Sequence, residues 1–218
     1  MATKGQIKKL KSYLRKCDDT LSKTYEYEGT QVFTNSFSGF MLTNPIKDDE
    51  IEMSNDYFGY KIYELIIKAD RYKYYYNYSQ VISLKTLKDI RKRAKDIAKN
   101  DPSLLQGNYK YKDESGIDCI IFEDKTKCIV LHFGNDIYGN NIDRMLKIDF
   151  VIDAMEILNY KKMRMMVYME LNEPAVDSNT YRKYFNDIFS IITYMVKDDE
   201  EYIPYKHDKC IILPTVEL

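Results

Sequence analysis

Two lysine series are the residues best able to do chemistry in this chain. Lys4, Lys8, Lys11 and Arg15 recur at helical spacing near the start. Lys85, Lys88, Lys92, Lys95 and Lys99 do so further on, with Arg91 and Arg93 beside them. Cations at this spacing share one face of a helix. Such a face can neutralise a row of phosphates without reading bases, which gives salt-dependent binding that ignores sequence. It can equally be an ordinary solvated face. The totals do not decide, because 33 basic side chains meet 34 acidic ones for a net charge of -1. Balanced totals still allow segregation. Acidic runs at 47–50 and 198–201 stand apart from the lysine series and would keep nucleic acid off the rest of the surface.

Other chemistry is poorly represented. Cys17, Cys119, Cys128 and Cys210 sit singly among apolar residues, and the only histidines are His132 and His207. That is not the clustering a zinc site needs, and it suits buried thiols in a reducing compartment. The carboxylate pairs Asp48/Asp49 and Asp198/Asp199 lie in polar stretches away from any histidine or glycine-rich phosphate cradle, which weighs against a metal-dependent nuclease. Neither GxxxxGK[ST] nor GxSxG occurs, and Ser178 and His207 stand at no catalytic spacing. No enzymatic activity and no cofactor are expected. The start, MATKGQIKKLKSYL, is too charged for a signal peptide, and no apolar run nears the roughly 20 residues of a membrane span. A soluble, cytoplasmic protein is expected.

The elements that must position the lysines follow from periodicity. Thr3 and Gln6 have capping-box spacing, and Ile7, Leu10, Leu14, Cys17 and Leu21 line a helix over 4–21. YEYEGTQVFTN predicts a hairpin turning at Glu28-Gly29, and SFSGFMLT a further strand before Asn44-Pro45. NPIKDDEIEMSND reads as an exposed acidic loop, residues 57–69 as a helix, and YKYYYNYSQVI as a strand whose tyrosines are more simply structural than base-stacking. Ser83 caps a second basic helix over 84–99, buried through Leu84, Leu87, Ile90, Ala94 and Ile97. Strands follow over 117–133. A short helix over 149–159 buries Phe150, Val151, Ala154, Met155 and Leu158 and turns Asp149, Asp153 and Glu156 to solvent. MRMMVYMEL is a strand, 180–196 a helix, and the last strand lies in KHDKCIILPTVEL.

The order basic helix, hairpin, less basic helix, further strands occurs twice. An α+β fold is expected, made of two repeated units, 1–80 and 81–218, each with two helices packed on an antiparallel sheet.

In residues 149–218, DFVIDAMEIL, MRMMVYMEL, EPAVDSN and CIILPTVEL resemble the last domain of bacterial DNA sliding clamps, the processivity factors of replicative polymerases. There a helix is followed by a strand, a Pro-initiated strand, and a terminal strand with an apolar-Pro-apolar tail, whose positions Leu213, Pro214 and Thr215 occupy here. The sequence departs from that family in an expected helical insertion near 178–200, in the acidic face of helix 149–159, and in Thr215 and Glu217 of the tail.

The resemblance implies helices lining a DNA channel, with sheets outside. Lys4, Lys8, Lys11, Arg15, Lys85, Lys88, Lys92 and Lys95 would contact the backbone of duplex DNA. Leu213, Pro214 and Thr215 would receive a polymerase or other clamp-binding protein. Rings in that family have six domains, so a two-domain chain would close as a homo-oligomeric trimer. The alternative is a clamp-fold adaptor or inhibitor that binds protein and not DNA.

Overall fold

A computed structural model of the protein describes residues 2–17, 21–35, 38–71, 78–105, 107–135, 141–167, 193–197 and 208–212. The first helix, α1 (Lys4–Leu14), opens on the expected capping box: Thr3 accepts from the Gln6 amide while the Gln6 side chain accepts from the Thr3 amide. It is shorter than the 4–21 expected from its apolar stripe. Lys16 and Cys17 donate to Tyr13 and Leu14 in tight turns that end it.

A meander follows, β1 (Thr24–Tyr27), β2 (Thr30–Thr34) and β3 (Ser38–Leu42). Its first turn is Glu28-Gly29, with φ of 48° and 74°, the left-handed pair of a two-residue hairpin. β4 (Met53–Ser54) lies parallel to β1, and α2 runs over Tyr57–Arg71. β5 (Tyr78–Ser83) leads directly into α3 (Leu84–Asn100), where Ser83 accepts from the Thr86 amide. A single 3-10 turn at Pro102–Leu105 follows α3. A second meander is β6 (Tyr109–Lys112), β7 (Asp118–Ile121) and β8 (Lys127–Asn135). β9 (Asn141–Lys147) leads directly into α4 (Ile148–Leu158), which Asn159 ends in the left-handed region, φ 58°. The third meander is β10 (Lys162–Val167), β11 (Thr193–Lys197) and β12 (Lys209–Ile212).

The expected helix over 180–196 is corrected where it is described: residues 193–197 are a strand. Pairing with β10 on one side and β12 on the other overrides the helical spacing of its apolar residues. The remainder of that expected helix, most of the proposed insertion near 178–200, and the tail residues Leu213, Pro214 and Thr215 lie outside the described residues.

The fold is α+β with four helices among the described residues. The larger sheet has the order β4-β1-β2-β3-β12-β11-β10-β5, and the smaller β6-β7-β8-β9. Beneath the two expected units runs a smaller repeat, a helix followed by a three-stranded antiparallel meander. It occurs from α1, from α3 and from α4. The first and third meanders join edge to edge through β3 and β12, so one sheet carries strands from both sides of residue 80.

Three helices share one core. Leu10, Tyr13 and Leu14 of α1, Leu87 and Ile90 of α3, and the inner side of α4 pack with Phe33, Phe40, Met163 and Cys210 of the larger sheet and with Ile129 and Leu146 of the smaller. α4 lies between α1 and α3 and is buried on most of its circumference. The expectation that each unit places both helices on one side of its sheet is corrected for α1 and α2, while α3 and α4 pack in a core shared by both sheets. Phe40 and Leu42 of β3 point into the α1 core, whereas the preceding Gly39 faces Ile66 of α2. Strand alternation therefore puts α2 on the opposite face. α2 reaches that face because Gly59 has no side chain: a Cβ there would lie 2.5 Å from the Cβ of Tyr25.

Candidate nucleic-acid interface

The three packed helices set out the charged residues. α4 brings Asp149, Asp153 and Glu156; Asp149 is exposed as the sequence suggested, but Asp153 and Glu156 do not face open solvent. Asp153 is buried, and only a quarter of the Glu156 side chain is exposed. From α1, Lys9 reaches Asp153 at 2.6 Å and Glu156 at 2.8 Å, and Lys16 reaches Asp153 at 3.9 Å. From α3, Lys88 reaches Glu156 at 2.6 Å and Arg91 reaches Asp149 at 3.2 Å. Glu156 thus bridges the two basic helices across α4. Burial alone would raise its carboxyl, but hydrogen bonds from Lys88 and Lys9 outweigh burial and hold it below the usual range. Lys9 is the mirror case: burial opposes its charge, and the bonds to Asp153 and Glu156 raise it nonetheless.

The eight sequence-predicted cations divide into two groups. Lys4, Lys8, Lys85, Lys92 and Lys95 are exposed, and among the described residues they make no ion pair. Lys11, Arg15 and Lys88 are spoken for. Lys11 pairs with Asp48 at 2.6 Å and Glu50 at 3.2 Å, and Arg15 with Glu50 at 3.3 Å. The hydrogen bond to Asp48 raises Lys11, and the same bond lowers Asp48.

Of the four cations that neutralise α4, sequence reasoning placed Lys88 in the lysine series and Arg91 beside it, but missed Lys9 and Lys16. The signal available was a second basic line on α1, Lys9 and Lys16 seven residues apart. An open groove of about 510 Å³ crosses the helix row, with Lys8 and Lys9 of α1, Glu156 and Asn159 of α4, and Leu84 of α3 on its walls. Of the exposed cations, Lys8 is on its walls, while Lys85 and Lys92 line separate hollows that each include Asp89.

Elsewhere His132, half-exposed on the smaller sheet, lies 2.8 Å from Asp118 and 2.5 Å from Asp143. Hydrogen bonds to these carboxylates raise the imidazole above its ordinary value, and the two contacts link β7, β8 and β9. Among the described residues no group of three or more His, Cys, Asp or Glu could hold a metal ion, and no helix is long and apolar enough to cross a membrane.

No protein-family model matches this sequence, and no curated protein matches it. Among solved structures, the beta subunit of DNA polymerase III from Thermotoga maritima is 13% identical with a TM-score of 0.34, over 87% of this chain and 42% of that one. A Helicobacter pylori beta clamp is 13% identical with a TM-score of 0.35, over 88% of this chain and 44% of that one. The Streptococcus pneumoniae beta chain is 12% identical with a TM-score of 0.33, over 86% and 41%. The chain spans less than half the length of these proteins. It is similar in structure, at low identity, to part of the bacterial beta sliding clamp.

Proposed function

We propose that the surface formed by α1 and α3 binds the backbone of duplex DNA without reading its sequence, and that the protein acts as a clamp-like tether for a polymerase or another partner, with no chemistry of its own. The observation that carries this reading is the bridge at Glu156. The acids of α4 are taken up by Lys9, Lys16, Lys88 and Arg91, whereas Lys4, Lys8, Lys85, Lys92 and Lys95 are exposed and make no ion pair among the described residues; in this reading these five face the DNA together. Phosphate contacts of this kind release counterions, so affinity falls with salt by about 0.9 log units per log unit for each phosphate neutralised. Five engaged lysines correspond to a slope of about -4.5.

The test is a salt titration of binding to duplexes of unrelated sequence. Replacing Lys85, Lys92 and Lys95 by Gln should weaken binding to all of them alike and flatten the slope by about 2.7. Absence of binding at low salt, or a slope unchanged in the triple variant, would refute the DNA reading.

A clamp-fold adaptor that binds protein is the second reading. It is favoured by α2, where Tyr57 is 68% and Phe58 39% exposed on the face of the sheet opposite α1. In either reading Leu213, Pro214 and Thr215 remain the proposed contact for a partner peptide. A ring built from such chains would be a trimer.

A further inference from the structure

Resting on that reading, we infer that the acidic turn at 47–50 is a built-in competitor for phosphate, which withholds Lys11 and Arg15 from nucleic acid and confines the footprint on α1 to Lys4 and Lys8.

The groove along α1, about 850 Å³, has Lys4, Lys8, Lys11, Arg15 and Asp48 on its walls. It therefore offers a row of cations with a carboxylate already seated at one end. Asp48 and Glu50 place oxygens 2.6 Å and 3.2 Å from the Lys11 ammonium, and Glu50 lies 3.3 Å from the Arg15 guanidinium. These are the distances at which phosphate oxygens would engage the same two side chains.

The turn is held in place by the fold and does not depend on the ion pairs. Ile46 and Ile51 are buried on either side of it. The buried Gln31 accepts from the Ile46 amide at 2.7 Å and donates to the Ile46 carbonyl at 3.2 Å. Thr24 donates to the Glu52 carbonyl through both its amide and its hydroxyl. Within the turn the Glu50 amide donates to the Asp48 carboxylate at 3.0 Å, and the Ile51 amide to the Asp48 carbonyl at 3.0 Å. A competitor anchored in this way loses little conformational entropy on pairing, so an incoming phosphate would have to displace preorganised carboxylates.

The experiment compares the parent chain with Asp48→Asn/Glu50→Gln in duplex DNA titrations between 50 and 200 mM salt, after thermal melts have shown that both fold. The variant should gain two phosphate contacts, which steepens the slope by about 1.8 and adds roughly a 12-fold further loss of affinity across that range. Lys11→Gln/Arg15→Gln should leave the slope of the parent unchanged, and it should abolish the gain when combined with the acid variant. A parent that binds with the expected slope while the acid variant matches it overturns this inference alone. So does a gain that survives Lys11→Gln/Arg15→Gln, because that is a bulk-charge effect. If neither protein binds, the DNA reading falls and takes the inference with it.

Discussion

On α1, Lys9 and Lys16 are paired with α4, Lys11 and Arg15 are paired with the 47–50 turn, and Lys4 and Lys8 are left exposed. On α3, Lys88 and Arg91 are paired with α4, while Lys85, Lys92, Lys95 and Lys99 are exposed and carry no ion pair among the described residues. The two helices have nearly the same spacing of cations, yet among the described residues those of α1 form ion pairs both with α4 and with the 47–50 turn, and those of α3 with α4 alone. Spacing puts charge on a face; what that charge does is decided by the element that arrives beside it.

The largest test of this comparison concerns the core. Leu10 and Leu87 are both fully buried in the same cluster. Leu10→Ala and Leu87→Ala should each cost about 2–5 kcal/mol, the lost transfer free energy plus a cavity, read by chemical denaturation. If Leu87→Ala costs under about 1 kcal/mol, α3 is a peripheral helix and its equivalence with α1 fails.

A smaller effect separates the helix starts. Thr3 and Gln6 cap each other, and the Gln6 amide group also donates to the Ile157 carbonyl at 3.1 Å, tying α1 to the end of α4. Ser83 accepts from the Thr86 amide at 3.0 Å, and its hydroxyl also bonds the Thr86 hydroxyl at 2.8 Å. Thr3→Ala and Ser83→Ala should each cost about 1 kcal/mol, with Thr3→Ala the larger because a second orphan donor is exposed with it. Thermal melts of the two variants decide the order, and a larger loss for Ser83→Ala would reverse it.

Much of this arrangement was readable in the sequence because it is local. The capping residues, the Glu28-Gly29 turn, the span of α3 and the buried side of α4 each follow from a few neighbouring residues. Features that depend on a partner across the fold were not readable. YKYK of β6 and NIDRMLK of β9 have weak strand patterns and form against β7 and β8. Tyr13, outside the apolar stripe, is buried because Ser38 accepts its hydroxyl and Phe33 and Phe40 pack against its ring. The acids of α4 looked solvated because nothing in residues 149–159 announces that Lys9 lies on one side and Lys88 on the other. The same holds for Lys11 and Arg15, whose neighbours in sequence give no sign that Asp48 and Glu50 pack against them.

The smallest expected effect is the one that treats α1 and α3 together. Among the described residues, Glu156 is the one carboxylate that touches a lysine from each helix. Its carboxyl is pushed up by burial and pulled further down by Lys88 and Lys9, ending below its ordinary value of 4.5. A carboxyl depressed in the folded state adds stability that is fully present above its unfolded value and is lost as pH falls through the folded one. Acid should therefore loosen both helices from α4 at once, starting below about pH 4.5. Solvent screens a partly exposed carboxylate, so the contribution should stay below about 1 kcal/mol. Glu156→Gln should remove that part of the acid dependence, read as the difference in unfolding free energy between near-neutral and acidic buffer. Asp48 is depressed as well, through Lys11, so Asp48→Asn should remove a separate part that belongs to α1 alone. The two losses should add, since each carboxylate pairs with a different lysine. An acid dependence unchanged by Glu156→Gln would mean that the bridge does not hold the helices together, and the common surface proposed for their lysines would lose its physical basis.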